Sequence, residues 1–191
     1  GWLGWVAFLP LLWGVRFLSA RQALFWGGTA GLLANLGTLY WVYPTCRWGG
    51  VNVFFSALAL LALSLVLAVY WAAFAIALKF LPAKPMAKPF LVAALWVALE
   101  FLRAHLFTGF PWLLFAVSQW LVPKHLTLAQ IGGVYAVSFL LMLFNATLAG
   151  AIEGWGEKRH GVGKLIPAVC VLATLTAISV WLWRRPLPSN S

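Results

Sequence analysis

Residues 52–79 read NVFFSALALLALSLVLAVYWAAFAIALK, and no charged side chain occurs between Val53 and Leu78. A helix needs about 20 apolar residues to cross roughly 30 Å of hydrocarbon. This run therefore predicts a transmembrane helix. Further candidate spans, the first of them short, are 2–15, 22–44, 88–107, 125–151 and 164–184. The predicted fold class is all-α, a polytopic bundle of about six transmembrane helices.

The amino-acid composition supports a membrane protein independently of any one segment. Of the 191 residues, 64% are hydrophobic and 8% are charged. Soluble domains average roughly 45–50% apolar and about 25% charged residues. A chain of this length has too little interior to hide so much apolar surface from water, so lipid must be the solvent for most of its outside.

The basic residues predict contact with lipid headgroups and not with nucleic acid. The net charge is +10, which in a soluble protein would suggest a nucleic-acid partner. Here the Lys and Arg residues lie in short gaps between apolar runs, and no basic stripe alternates with stackable aromatics outside the spans. The 13 Trp residues fit interfacial belts equally well.

The distribution of Lys and Arg predicts the orientation in the membrane. The gaps 16–21, 79–88 and 153–164 hold eight of these residues, and the remaining five lie in the opposite gaps and the C-terminal tail. Positively charged loops favour the cytoplasm, so these three gaps are predicted to be cytoplasmic. The loops at 45–51 and 103–124 and the tail then face the periplasm or exterior.

Both ends of the sequence suggest a longer gene product. The chain opens at Gly1 inside a hydrophobic run, without Met or a basic leader region. We expect residues 1–185 to form the transmembrane domain and 186–191 to begin a linker to an exported domain.

The sequence predicts no catalytic group, metal site or cofactor. It contains no Asp, so a Ser-His-Asp triad is excluded, and its three His residues fall in separate segments. Cys46 has no His or Lys base near it in sequence, and we interpret it as structural.

Glu100 and Arg103 place two charges in an apolar helix. An ionised side chain at membrane depth costs about 2.5–3.5 kcal/mol on insertion scales, so an isolated Glu at this depth is expected to have a role. The two residues are three positions apart on one helix face and can neutralise each other. Two hypotheses remain open: a structural ion pair, or a device that positions a substrate or a neighbouring loop.

Residues 108–124 predict an interfacial arm in place of another span. The segment opens with TGFPW at 108–112, where Pro111 disfavours a helical Phe110 and lacks a backbone donor. The Trp112 ring suits the headgroup region. The turn is interpreted either as an aromatic anchor or as a guide for a lipid tail or docking domain.

Small residues follow two of the predicted spans. One row is formed by Gly132, Gly133, Ser138 and Asn145, and a second by Gly27, Gly28, Gly31, Asn35 and Thr38. Such residues let membrane helices approach closely and hydrogen-bond to one another, which is the role predicted for both rows. The aromatic segment 40–43 and the Gly49-Gly50 pair are interpreted as an exterior interfacial turn.

In this order, the motifs resemble the apolipoprotein N-acyltransferase family. They are ALWVALEFLR at 94–103, TGFPW at 108–112, SQ at 118–119 and the helix from Gly132 to Asn145. The turn at 40–50 matches a similar upstream feature, and the resemblance covers nearly the whole chain. Ala116 stands where the family commonly has Gly.

The resemblance implies a multi-pass enzyme of the bacterial inner membrane. Such an enzyme transfers an acyl chain from a phospholipid to the N-terminal diacylglyceryl-cysteine of a lipoprotein. Its chemistry resides in an exported, nitrilase-like domain with a Glu, Lys and Cys triad, which would follow the present residues, so no catalytic residue is carried over. Phe110, Trp112 and Phe115 are then expected to line a path for the acyl chain, with Glu100 and Arg103 bracing the helix beneath.

Two other functions remain compatible with the sequence. The chain could be a non-catalytic scaffold or anchor, such as one that accompanies a polyprenol-phosphate sugar transferase. A small transporter or channel is the other, although the spans carry few ionisable residues and no pair of broken helices in matching halves.

Overall fold

The computed structural model describes residues 2–82, 87–106, 109–120 and 128–155, with isolated positions between 170 and 184. Its α-helices are α1 (Leu9–Val15), α2 (Ala20–Thr38), α3 (Val42–Trp48), α4 (Val53–Ala77), α5 (Lys88–His105) and α6 (Ala129–Trp155). Short 3-10 helices occupy Trp2–Trp5, Leu78–Phe80 and Phe115–Gln119. The described residues contain no β-strand, and the predicted all-α class is confirmed.

Two helical stretches are long and apolar enough to cross a membrane, Val53–Phe80 and Gly132–Ile152. In the first, 22% of the most apolar window is buried inside the protein, so most of its surface needs an apolar solvent. The chain is an all-α membrane domain. Among the described residues, these two stretches have the length and composition expected of a transmembrane helix. The count of about six spans therefore stays a prediction.

The chain divides into two compact units, with Gly14–Phe80 forming one and the described parts of 1–13 and 81–191 forming the other. In the Gly14–Phe80 unit, α2 packs antiparallel against α4. A Cβ atom added at Gly27 would meet Ala75, and one added at Gly31 would meet the Trp71 side chain. The close-packing role predicted for this glycine row is therefore confirmed.

Buried polar groups continue the same interface. The amide Nδ2 of Asn35 donates to the carbonyl oxygen of Ser64 at 3.4 Å, and both residues are buried. A hydrogen bond between helices satisfies polar groups that lipid cannot solvate. At the start of α2, Ser19 and Gln22 exchange the two hydrogen bonds of a capping box.

The predicted span at 22–44 is wrong at its C-terminal end. Helix α2 ends at Thr38, and α3 then occupies part of the region expected to be loop. Pro44, the last residue of the predicted span, lies in the first turn of α3. Proline is tolerated there because the first N–H groups of a helix have no intrahelical partner.

The packing role predicted for Gly132 and Gly133 is also wrong. The two glycines interrupt α6 with non-helical dihedrals, φ −142° and ψ 24° at Gly132, then φ 69° and ψ −174° at Gly133. Both are exposed. A residue without Cβ adopts the second conformation at little cost, so the pair serves as a helix break.

Several predicted features lie largely outside the described residues. They are the span at 164–184, the gap at 153–164, the tail at 186–191, Thr108 and the last part of the arm, 121–124.

Candidate functional site

The arm begins where α5 ends and the backbone reverses. Leu106 adopts an extended conformation, with φ −75° and ψ 137°. Gly109 follows with a φ of 68°, and a Cβ atom at this position would collide with the carbonyl oxygen of Ala104. The N–H of Phe110 then donates to the carbonyl oxygen of Arg103 at 2.8 Å. The described part of the arm, 109–120, is a turn and a short 3-10 helix and not a span, as predicted.

Glu100 holds the arm from one side. Its carboxylate Oε1 accepts a hydrogen bond of 2.6 Å from the backbone N–H of Phe115. The Arg103 guanidinium, three residues later on the same helix face, attracts this carboxyl group electrostatically. Glu100 is 2% exposed, so the carboxylate is buried among the groups that bind it.

Arg103 holds the same arm two and three residues before Phe115. Its Nη2 donates to the carbonyl oxygens of Trp112 at 3.2 Å and Leu113 at 3.0 Å. Leu113 has a φ of 59°, which is rare for a bulky side chain. Since Arg103 is 4% exposed, a buried cation stabilises this unusual backbone. Glu100 and Arg103 were predicted to share a helix face, and both bind backbone groups of the arm.

Two aromatic rings of the arm lie at its surface. Phe110 is half-buried and Trp112 is 55% exposed, and their ring centroids are 5.8 Å apart. The turn thus presents adjacent rings, whereas the charged groups beneath it are inaccessible. Large apolar surface at this point suits contact with a lipid chain or with another apolar partner.

Phe115 points in a different direction from these rings. It packs edge-to-face against Phe8 at 4.9 Å and Trp96 at 6.4 Å, and Phe8 in turn contacts Trp96 at 4.5 Å. The three rings tie the arm to α5 and to the turn that precedes α1. Among the described contacts, Phe115 anchors the arm to the protein interior.

Hydrogen bonds secure the N-terminal segment to the same unit. Gln119 is fully buried and accepts a bond of 3.2 Å from the Trp5 indole. Asn145 of α6 accepts from the N–H of Phe8 at 3.1 Å and donates to the carbonyl oxygen of Gly4 at 3.0 Å. The cross-helix bonding predicted for Asn145 is confirmed.

Ser138 joins the arm to α6, because its hydroxyl accepts a 3.0 Å bond from the N–H of Ala116. The sequence assigned Ser138 to helix packing, included Trp96 and Gln119 only in the motifs that carry the family resemblance, and gave Phe8 no role. A signal existed for Trp96, which lies one helical turn before Glu100 and so shares its face. Phe8 and Gln119 gain their roles through contacts between distant segments, which spacing does not reveal.

The arrangement can position a surface, but it supplies no reactive group of its own. Within the described ranges, no cluster of three or more His, Cys, Asp and Glu side chains is placed to hold a metal ion. Cys46 is half-buried in α3, in the unit that does not contain the arm. The chemistry available at the arm is recognition of apolar and amphipathic groups.

Comparison with known proteins gives consistent matches along the chain. Residues 1–147 match the family described as apolipoprotein N-acyltransferase N-terminal domain. The apolipoprotein N-acyltransferase of Geobacter metallireducens is 31% identical over 184 residues, which is 96% of this chain and 35% of the relative. Those of Nitrosomonas europaea and Vibrio vulnificus are 37% and 34% identical, covering 83% and 91% of this chain and 32% and 34% of the relatives. The chain therefore spans about a third of the length of these relatives.

Proposed function

Because the chain belongs to the apolipoprotein N-acyltransferase N-terminal domain family, we propose that it forms the membrane part of such an enzyme in the bacterial inner membrane. The whole protein would transfer an acyl chain from a phospholipid to the N-terminal diacylglyceryl-cysteine of a lipoprotein. The observation that carries this proposal is a match covering 96% of the chain to a relative of that name. The phospholipid, the diacylated lipoprotein and the membrane are the proposed partners, and no cofactor is required.

The arm is proposed to guide the acyl chain towards the catalytic domain. The exposed Trp112 ring and the half-buried Phe110 ring beside it offer apolar surface for contact with the chain. Glu100 and Arg103 fix the backbone that carries those rings, and Phe115 anchors it against Phe8 and Trp96. A rigid support for an exposed apolar surface reduces the entropy lost when a flexible lipid chain binds.

The covalent chemistry would take place outside the present residues. In the family, a Cys nucleophile of the nitrilase-like domain attacks the phospholipid ester and forms a thioester, with Glu as general base and Lys beside the oxyanion. The lysophospholipid departs as an alcohol. The α-amino group of the lipoprotein cysteine then attacks the thioester, which forms the amide and regenerates the thiol.

The test is an acylation assay with the full-length protein in phospholipid vesicles. Incubation with a diacylated lipopeptide should yield a triacylated product, detected by mass spectrometry. Vesicles of ether-linked phospholipid give the matched control, since an ether cannot donate an acyl group. A full-length protein that folds and inserts but gives no product above the ether-lipid background would favour a non-catalytic scaffold.

The 191-residue chain alone is predicted to be inactive in the same assay. The arrangement at the arm holds no nucleophile, and a binding surface without one cannot form a thioester. Triacylated product from the chain alone, above the ether-lipid background, would contradict this expectation.

A further inference from the structure

The N-terminal segment lies against the arm, in the same compact unit. Its short 3-10 helix, Trp2–Trp5, lies beside the 3-10 helix of the arm, Phe115–Gln119. A Cβ atom added at Gly4 would lie 2.5 Å from the Ser118 hydroxyl oxygen and 3.0 Å from the Gln119 amide nitrogen. The missing side chain at residue 4 therefore lets the two segments approach closely.

Gln119 binds this segment from the side of the arm. Its side-chain Oε1 accepts a 3.2 Å bond from the indole N–H of Trp5, 114 positions earlier in the chain. Gln119 is fully buried and Trp5 is 8% exposed, so water does not compete for either group. The bond fixes the C-terminal end of the arm's 3-10 helix to the N-terminal segment.

Asn145 of α6 fixes the N-terminal turn, which is formed by residues 4–8. The side-chain Nδ2 donates to the carbonyl oxygen of Gly4 at 3.0 Å, and Oδ1 accepts from the N–H of Phe8 at 3.1 Å. One amide group thus binds both ends of the turn, which a carboxylate or an apolar side chain cannot do. Asn145 is fully buried, so its loss would take a partner from two backbone groups at a place closed to water.

The N-terminal turn also contacts the other end of the arm's 3-10 helix. The Phe8 ring packs edge-to-face against Phe115, with ring centroids 4.9 Å apart. The N-terminal segment therefore supports this 3-10 helix at both of its ends, Phe115 and Gln119. The exposed Trp112 ring lies three residues before Phe115, so a displacement of the helix is transmitted to the ring along a short stretch of backbone.

We propose that the N-terminal turn positions the arm for delivery of the acyl chain, and that Asn145 and Gln119 are positioning residues for this step. The inference rests on the proposed function, because it concerns the surface that carries Trp112. The two charged side chains of α5 bind the backbone of the arm, and the N-terminal turn supports its 3-10 helix independently of them. Asn145 and Gln119 are fully buried, so both act through the arm and not by contact with the lipid.

The test measures acyl-enzyme formation by the full-length protein with two donors, a vesicle phospholipid or a water-soluble short-chain ester supplied in ether-lipid vesicles. Asn145→Leu replaces the amide with an apolar group of similar size and removes both bonds to the turn. It should slow acylation from the phospholipid at least tenfold, about 1.4 kcal/mol of barrier. The soluble ester needs no guide, so its rate should stay within about twofold of wild type. Gln119→Met, which removes the bond to Trp5, should slow the phospholipid reaction at least about threefold.

Hydrogen exchange reports the support of the arm without any catalysis. In Asn145→Leu, the backbone amides of residues 115–120 should exchange at least about fivefold faster than in wild type, because their 3-10 helix loses the fixed turn against which it packs. Unchanged exchange of these amides would overturn the proposal.

Thr147→Val is the matched control. Thr147 is also buried on α6, but its hydroxyl donates to the carbonyl oxygen of Leu143 within the same helix. The substitution should leave both acylation rates and the exchange of the arm nearly unchanged. An equal effect in this control would show that any hydrogen bond lost from α6 disturbs the arm, and would contradict a specific role of the turn.

An unchanged phospholipid rate in Asn145→Leu, or equal slowing with both donors, would also overturn the proposal. Wild-type protein that forms no acyl-enzyme with either donor would contradict the proposed function itself, whereas the other results contradict only the positioning role. If Asn145→Leu fails to insert into the membrane, Gln119→Met carries the test by itself.

Discussion

Gly109 and Leu113 are the residues at which the arm departs from ordinary backbone geometry. Both have positive φ values, 68° and 59°. The turn itself was predictable, because Pro111 cannot continue a helix and Gly109 precedes it by two residues. The conformation of Leu113 was not, since its support comes from the Arg103 side chain. At the residue scale, local sequence locates a turn, and tertiary contacts determine its shape.

Replacing Gly109 with Ala tests this geometry. The new Cβ would meet the Ala104 carbonyl oxygen, a backbone atom that cannot turn away as a side chain can. Together with the left-handed φ, this should destabilise the protein by at least about 1–2 kcal/mol, measured by unfolding in detergent micelles. Gly37→Ala is the control, because a Cβ there meets no atom within 4 Å and α2 gains helix propensity. Equal stability of the two variants would contradict the account.

At the scale of elements, the arm depends on two buried charges of α5. Arg103→Gln should destabilise the protein by about 3–5 kcal/mol, because Glu100 is left as an uncompensated buried charge. Glu100→Gln keeps an oxygen that can accept from the Phe115 N–H. We therefore expect the Glu100→Gln/Arg103→Gln double variant to be more stable than Arg103→Gln alone by about 1 kcal/mol or more.

Reversible unfolding in detergent measures all three free energies, and Arg21→Gln, which replaces an exposed Arg in the other unit, controls for a generic effect of substitution. Additive effects of the two substitutions would show that the charges do not stabilise each other. Mutual stabilisation would then not explain why two ionisable groups are buried in an apolar helix.

The helices show which parts of the fold the sequence can predict. The pattern of apolar residues predicted the bounds of α4 and α5 closely, because each helix is bounded by a change from apolar to polar or basic residues. The three-residue spacing of Glu100 and Arg103 also predicted that they share one helix face. It did not predict that Glu100 accepts a hydrogen bond from the backbone N–H of Phe115, fifteen residues later. Gly132 and Gly133 were misassigned because glycine suits both close helix contact and a break in the helix.

At the scale of the whole molecule, the orientation in the membrane remains a prediction from charge. The gaps 16–21, 79–88 and 153–164 are expected in the cytoplasm, and the arm outside it. Single-cysteine variants at 84 and 110 test this in intact cells with a membrane-impermeant thiol reagent, in a background where Cys46 and Cys170 are replaced. Position 110 should label and position 84 should not. The reverse pattern would overturn the assignment.

We propose that the arm delivers a phospholipid acyl chain to a catalytic domain, with Trp112 as its main contact. The rate of acyl-enzyme formation in the full-length protein, measured before any lipopeptide is added, tests this claim directly. Two donors are compared: a phospholipid, which must leave the bilayer, and a water-soluble short-chain ester, which needs no guide. Trp48→Ala serves as the control, since Trp48 is 89% exposed and lies in the other unit.

Trp112→Ala should slow acylation from the phospholipid at least tenfold, about 1.4 kcal/mol of barrier, with normal membrane levels. Acylation from the soluble ester should stay within about twofold of wild type, and Trp48→Ala should leave both rates nearly unchanged. An unchanged phospholipid rate in Trp112→Ala would reduce the arm to a membrane anchor. Equal slowing with both donors would place the defect in the catalytic domain, and would contradict the proposed lipid path.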